Sequence, residues 1–401
     1  MDIFRAAKRK SWDVRRERPS SGGSSGSKPV HLDVEMESPP ITFYGTPQRS
    51  SGALLSGQVK LSVEETSVTL QKFEMRFVAK VTAKKPVEKN CPDCVSKTTE
   101  LKKWDFLTAD LPLQHGLHQF PFSYLMPGHL PASTSSALAL VEYVLVANAT
   151  TTTGVELKYE HVLNVKRAVL PGPEKSSVRI FPPTNLTARV MLQPVIHPIG
   201  TFPVEMTVSG VVDRGKDTQN RWRLKRLSWK IEENTKMISP ACPKHAHKIG
   251  GDGKGVSHTF SREIGSDELK SGWKTDFDTP GGQIDMEFTA NVRGGCNPVC
   301  DVTSDTGLEV SHVLTVELIV AEEYCPTKNS KLVTPTGAAR VLRMQFHLCL
   351  TERAGLGISW DEEQPPLYTD VPASPPHYVS EEYFGPPLSP EPSYQDLDDM
   401  V

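Results

Sequence analysis

The chain has 401 residues, 37% of them hydrophobic, with 45 Lys plus Arg against 48 Asp plus Glu and a formal net charge of −3. At roughly 100–200 residues per domain this length allows two globular domains with tails left over, and the mixture excludes a collagenous, coiled-coil or wholly disordered chain. The charge is uneven: residues 361–401 hold ten acids and no Lys or Arg, leaving 45 basic and 38 acidic residues in 1–360, so a mildly basic body carries an acidic tail.

In chain order, residues 1–30 combine a basic start (Arg5, Lys8, Arg9, Lys10, Arg15, Arg16, Arg18) with a Ser/Gly run from Ser20 to Ser27. Such a composition cannot bury a core, so a disordered arm is expected. A helix through Ile3, Phe4, Ala7, Ser11 and Val14 would be weakly amphipathic and able to touch anionic lipid, although a solvated basic arm is the simpler reading. No apolar h-region of a signal peptide follows the first residues. The longest apolar stretch, Ala137 to Ala147, is interrupted by Glu142 and falls short of the ~20 residues of a spanning helix. Seven cysteines, an odd number at low density, fit the reduced thiols of a cytosolic protein.

Residues 31–169 run in short stretches rich in Val, Thr, Phe and Leu, punctuated by Pro and Gly, such as Ile41-Thr-Phe-Tyr44 and Val68 to Val78. In Gln58 to Val63 the residues Val59, Leu61 and Val63 share one face, the alternation of a half-buried strand. Leu170-Pro-Gly-Pro-Glu-Lys175 reads as a linker. A second block of the same texture, residues 176–352, has strands predicted over Thr187 to Gln193, Val204 to Val212, Gln283 to Val292, Glu309 to Val320 and Ala339 to Leu350. His312 falls among the apolar residues of the fourth, and a hydrogen-bonded core histidine is the expectation there rather than a ligand. The predicted fold is all-β, two β-sandwiches in tandem. Residues 353–401, acidic and Pro-rich, are expected to form an extended, accessible tail.

Particular motifs carry a family resemblance. Gly116-Leu-His-Gln-Phe-Pro-Phe-Ser-Tyr-Leu-Met-Pro-Gly-His-Leu-Pro-Ala-Ser133 resembles the signature of an arrestin N-domain, and Val141-Glu-Tyr-Val-Leu-Val-Ala147 is similar to that family's next strand. Glu37 to Gly45 and Ser51 to Gly57 resemble the opening strands of fungal α-arrestins, the arrestin-related trafficking adaptors. In the second block Gly272-Trp-Lys274 and Val310 to Val316 are similar to an arrestin C-domain. The resemblance covers about residues 31–352 and implies two arrestin-like sandwiches. The residues agree with it: in Phe120-Pro-Phe122 the proline lacks an amide donor and should mark a strand edge or bulge, with the phenylalanines as core anchors.

The tail holds the strongest functional signal, Pro365-Pro366-Leu-Tyr368 and Pro375-Pro376-His-Tyr378, both Pro-Pro-x-Tyr. Paired prolines favour a polyproline II conformation that docks on an aromatic groove with little loss of entropy, as WW-domain ligands do. The tyrosines are ten residues apart, about 31 Å in that conformation, so two WW domains of one partner could be engaged together. The resemblance implies that the partner is a Nedd4-type HECT ubiquitin ligase. It also implies plasma-membrane transporters, amino-acid permeases among them, as cargo for ubiquitylation and endocytosis, and peripheral recruitment from the cytoplasm to plasma membrane, Golgi or endosomes. An arrestin-fold, retromer-like sorting coat that recruits no ligase is the alternative.

Other signals are weaker. Arg221, Arg223, Lys225, Arg226 and Lys230 form a basic segment that reads either as solvated edge-strand charge or as a surface for acidic cargo or lipid headgroups. No nucleic-acid motif accompanies it. Cys91-Pro-Asp-Cys94 has zinc-knuckle spacing, and Cys242-Pro-Lys-His245 with His247, and Cys296 with Cys300, offer further donors. Free loop cysteines are the simpler reading, a structural zinc the sharper one. No cofactor is otherwise expected, and no catalytic constellation appears: Gly250 to Gly255 lacks P-loop spacing. Ser11, Ser374 and Ser389 are candidate phosphorylation sites. The resemblance further implies that the adaptor is itself ubiquitylated, with Lys270 and Lys274 as candidate acceptors.

Overall fold

The computed structural model describes residues 30–251 and 253–353. The basic arm, both Pro-Pro-x-Tyr motifs, Ser11, Ser374 and Ser389 lie outside the described residues. Within them the regular structure is strand, apart from two single helical turns, Pro92–Val95 and Ala246–Ile249.

The first sandwich is organised by one long strand, Ala53–Ala83. Its first half pairs antiparallel with Val30–Met36 and with Leu111–Met126. Its second half pairs with Ser96–Asp105 and with Ala139–Thr151. The register slips between Val63 and Ser67, the irregularity that lets one strand bend and serve both halves. Val59, Leu61 and Val63 point inward as the alternation predicted, each at most 2% exposed. Phe73 packs between Phe106 and Phe120, with ring centroids 4.7 and 4.9 Å away. Full burial of a side chain of this size contributes about 1.5–3 kcal/mol. Leu111–Met126 pairs with Ala53–Ala83 alone, so Pro121 sits on an edge strand and is exposed between the buried Phe122 and the half-buried Phe120.

Residues 170–174 carry no regular element and are exposed. The second sandwich then opposes two sheets. Lys175–Ile180, Thr187–Leu192, Thr201–Ser209, Gln283–Asn291 and Trp273–Asp276 form the five-stranded one. The other is built on Thr218–Pro240, Leu308–Pro326 and Thr334–Leu350, three antiparallel strands longer than the sequence suggests. Their ladders run almost the full length of the strands, broken by register slips between Leu224 and Arg226 and between Ala321 and Glu323. Between the sheets Val190, Val204, Ile231, Leu314 and Val316 have no exposed surface. Gly255–Leu269, absent from the sequence reading, pairs along most of Thr218–Pro240. Its mixture of Ser, Thr, His and charged residues lacks an apolar face of period two, so no pattern announced it.

The two cores are joined. Met237, Val302, Leu308 and Val310, all from the second block, bury against the apolar cluster of the first. Thr351, 3% exposed, ties the strand Lys166–Ala168 to the chain beyond Thr334–Leu350: its hydroxyl donates to the Arg167 carbonyl at 2.9 Å and accepts from the Val169 amide at 3.1 Å.

Candidate metal centre and charged surfaces

The strand Ala53–Ala83 leads into a loop that ends in Cys91-Pro-Asp-Cys94, and Thr218–Pro240 leads into Cys242-Pro-Lys-His245. Proline suits the first position of a helical turn, where its missing amide has no partner to lose. Pro92 occupies that position in Pro92–Val95. The turn closes through the Cys94 and Val95 amides, which donate to the Cys91 carbonyl at 3.1 and 3.0 Å, and the His245 amide donates to the Cys242 carbonyl at 2.9 Å. Each turn therefore presents its two donors, three residues apart, on one side.

The fold brings these turns face to face. Cys91 Sγ lies 3.7 Å from Cys242 Sγ, Cys94 Sγ lies 3.6 Å from His245 Nδ1, and Cys242 Sγ lies 3.2 Å from His245 Nδ1. All four donor atoms fall within 4.8 Å of one another. The three thiols are buried and form a small cluster apart from the two main cores. Burial pushes the Cys242 thiol up, but hydrogen bonding with His245, Cys94 and Cys91 outweighs it and pulls the group down to about 6. The loops also meet elsewhere: Lys248 Nζ lies 2.5 Å from Glu88 Oε2, and the Ser239 hydroxyl donates to the Lys85 carbonyl at 2.8 Å. The other candidate donors stand apart. Cys296 Sγ faces the Ile264 carbonyl at 3.7 Å, and the His247 ring is 6.5 Å from that of His245. All seven cysteines are free thiols.

The basic segment is not a run of open positive charge. Arg221 is a correction to the surface reading: it falls on the inward phase of Thr218–Pro240, is 6% exposed, and stacks its guanidinium 4.9 Å from the Phe277 ring centroid. A register slip between Leu224 and Arg226 then leaves Lys225 and Arg226 both outward. Arg223 and Lys225 pair with Glu323 at 2.9 and 3.1 Å, Arg226 with Glu268 at 3.2 Å, and Lys230 with Glu232 at 2.9 Å. Lys270 and Lys274 are exposed on either side of Gly272, with Lys270 3.5 Å from Glu268.

A buried charge network escaped the sequence reading. His312 is fully buried, as expected, and its Nδ1 is 2.5 Å from Asp301 Oδ1. Its Nε2 is 3.8 Å from Glu233 Oε2, a charge contact rather than a hydrogen bond. Arg262 forks onto Glu233 at 2.7 and 2.9 Å, and the Val299 amide donates to Glu233 Oε2 at 2.8 Å. Burial pushes the Glu233 carboxyl up, but His312, Arg262 and the Val299 amide pull it further down, to about 2. Burial likewise pushes His312 down, and Asp301 and Glu233 outweigh it, so the imidazole is raised. The signal in the sequence was an acid on the inward phase of an alternating strand, between Ile231 and Thr235. Arg167 is a second buried charge, with its guanidinium donating to the carbonyls of Gly45, Gly128 and Leu130 at 2.9, 2.7 and 2.7 Å.

Among the described residues no helix is long and apolar enough to cross a membrane. A protein family described as LDB19, Arrestin_N terminal like, matches residues 73–249, a span that contains both turns of the cluster. The Schizosaccharomyces pombe protein named "Uncharacterized protein C1F12.05" is 38% identical, aligned over 88% of this chain and 90% of its own length. The proteins named LDB19 in Eremothecium gossypii and Saccharomyces cerevisiae are 27% and 24% identical, over 88% and 90% of this chain and 82% of each relative.

Proposed function

The chain belongs to the fungal α-arrestin family, and from that premise we propose that it is a trafficking adaptor that brings a Nedd4-type HECT ubiquitin ligase to plasma-membrane transporters. The observation that carries the reading is the pair Pro365-Pro-Leu-Tyr368 and Pro375-Pro-His-Tyr378 behind an arrestin-like body. Each tetrapeptide has the residues a WW groove takes up, two prolines for the aromatic cleft and a tyrosine for the adjoining pocket. A pair in one chain raises avidity for a ligase with several WW domains without any new contact.

In this reading the adaptor does no chemistry of its own. The sandwiches hold the cargo, the tail holds the ligase, and the gain is the effective concentration of the ligase at cargo lysines. Ubiquitylation then marks the transporter for endocytosis. The body and the tail are separable in this account, because both Pro-Pro-x-Tyr motifs follow the arrestin-like blocks in the sequence, within an acidic, Pro-rich segment without apolar periodicity. Deleting it should leave the thermal transition of the body in place and abolish cargo ubiquitylation in cells. Normal transporter turnover with the truncated chain would refute the proposal.

A further inference from the structure

We propose that Cys91, Cys94, Cys242 and His245 bind one structural Zn2+, and that this ion clasps the first sandwich to the second. The donor set is the first ground. Three thiolates and one imidazole are a zinc complement, too soft for Mg2+ or Ca2+, and four protein ligands leave no open position for catalysis.

Distance is the second ground. Tetrahedral zinc with bonds of about 2.3 Å to sulfur and 2.0 Å to nitrogen requires separations of about 3.8 Å between sulfurs and about 3.5 Å between sulfur and nitrogen. The fold supplies 3.7 Å for Cys91 with Cys242 and 3.6 Å for Cys94 with His245. The closer 3.2 Å approach of Cys242 to His245 needs only a few tenths of an ångström of opening. A disulfide does not satisfy the cluster equally well, because any one bond would leave a third thiol and the imidazole facing it.

Placement is the third ground. Among the described residues, where the regular structure is otherwise strand, both helical turns adjoin these donors, one from each sandwich, and the donor segments share the pattern Cys-Pro-x-Cys or Cys-Pro-x-His. The paired donors are 151 residues apart in the sequence, so the ion closes a long loop across the junction of the two cores. Closing a loop of that length restricts the unfolded chain as a disulfide would. The neighbouring Lys248 with Glu88 and Ser239 with Lys85 hold the same two loops in place and pre-form the site.

The test uses the full chain, purified in reducing, metal-free buffer after expression with zinc available. Elemental analysis should find about one zinc per chain, unaltered in Cys325→Ala, retained in His245→Cys and lost in Cys242→Ser. Replacement by Co2+ should give intense visible d–d bands of a tetrahedral site with thiolate charge transfer in the near ultraviolet. Chelation should lower the thermal midpoint and open the loops around residues 85–95 and 240–250 to protease. The wild-type chain decides the matter even where Cys242→Ser does not fold. Less than about 0.1 zinc per chain with a featureless Co2+ titration would overturn the proposal. So would a Cys91–Cys242 disulfide in the purified chain, or full zinc retention in a folded Cys242→Ser variant.

Discussion

Glu233 is 1% exposed and is held by the Arg262 fork, the Val299 amide and the nearby charge of His312. Its carboxyl titrates near 2 in the fold against an ordinary 4.5, so its contribution is present above about pH 4.5 and drains away as pH falls toward 2. At 1.4 kcal/mol per unit that contribution is about 3 kcal/mol. His312 runs the other way: raised above 6.5, it stabilises fully below that value and loses its contribution as pH rises through its raised value. Denaturation measured across pH should therefore give maximal stability at weakly acidic pH, with loss on both sides. Glu233→Gln should lower that plateau by about 3–5 kcal/mol and flatten the acid limb, because it strips a buried partner from Arg262 and His312. An acid limb unchanged in the variant would contradict this account of the network.

Among the strands, close approach sets the strictest demands. Gly57 lies inside Ala53–Ala83, paired with Met36 on one side and Phe122 on the other. A Cβ there would stand 2.2 Å from the Glu35 carbonyl oxygen and 3.1 Å from the Phe122 ring, so the backbone of the neighbouring strand would have to move. Gly57→Ala should cost about 1–3 kcal/mol. At Gly172, in the segment between the sandwiches, a Cβ would meet nothing within 4 Å, and Gly172→Ala should be neutral to within about 0.5 kcal/mol. Urea denaturation of the two variants compares them directly, and equal midpoints would show that the approach at Gly57 is not tight.

The same scale explains what could be read beforehand. Strands with one apolar face, such as the stretch around Val59, Leu61 and Val63, announced themselves, and Pro121 marked an edge strand through its missing amide. Gly255–Leu269 did not, because an edge strand with mixed residues on both faces has no period to detect. The basic segment was legible as charge but not as geometry. Nothing local reveals that Arg221 turns inward, that the register slips after Leu224, or that Glu323 and Glu268 arrive opposite from distant strands.

For the whole molecule, the tandem sandwiches followed from alternation and family resemblance, whereas the junction between them did not. Val310 falls among the apolar residues of a predicted strand, and only the three-dimensional arrangement commits it, together with Met237, to the core of the other block. The cysteine cluster has the same character. Each turn carries a metal-binding spacing that is visible in the sequence, but their meeting depends on both sandwiches being folded and docked. The Pro-Pro-x-Tyr motifs are the opposite case, since their recognition needs four residues and no fold. The proposed adaptor works through a body that holds cargo and a tail that holds a ligase. The most direct test is binding of a purified Nedd4-type WW-domain array to the full chain and to the Tyr368→Ala/Tyr378→Ala double variant. The account predicts tight binding to the full chain that disappears in the double variant. Equal binding to both, or binding to neither, would contradict it and favour a sorting coat that recruits no ligase.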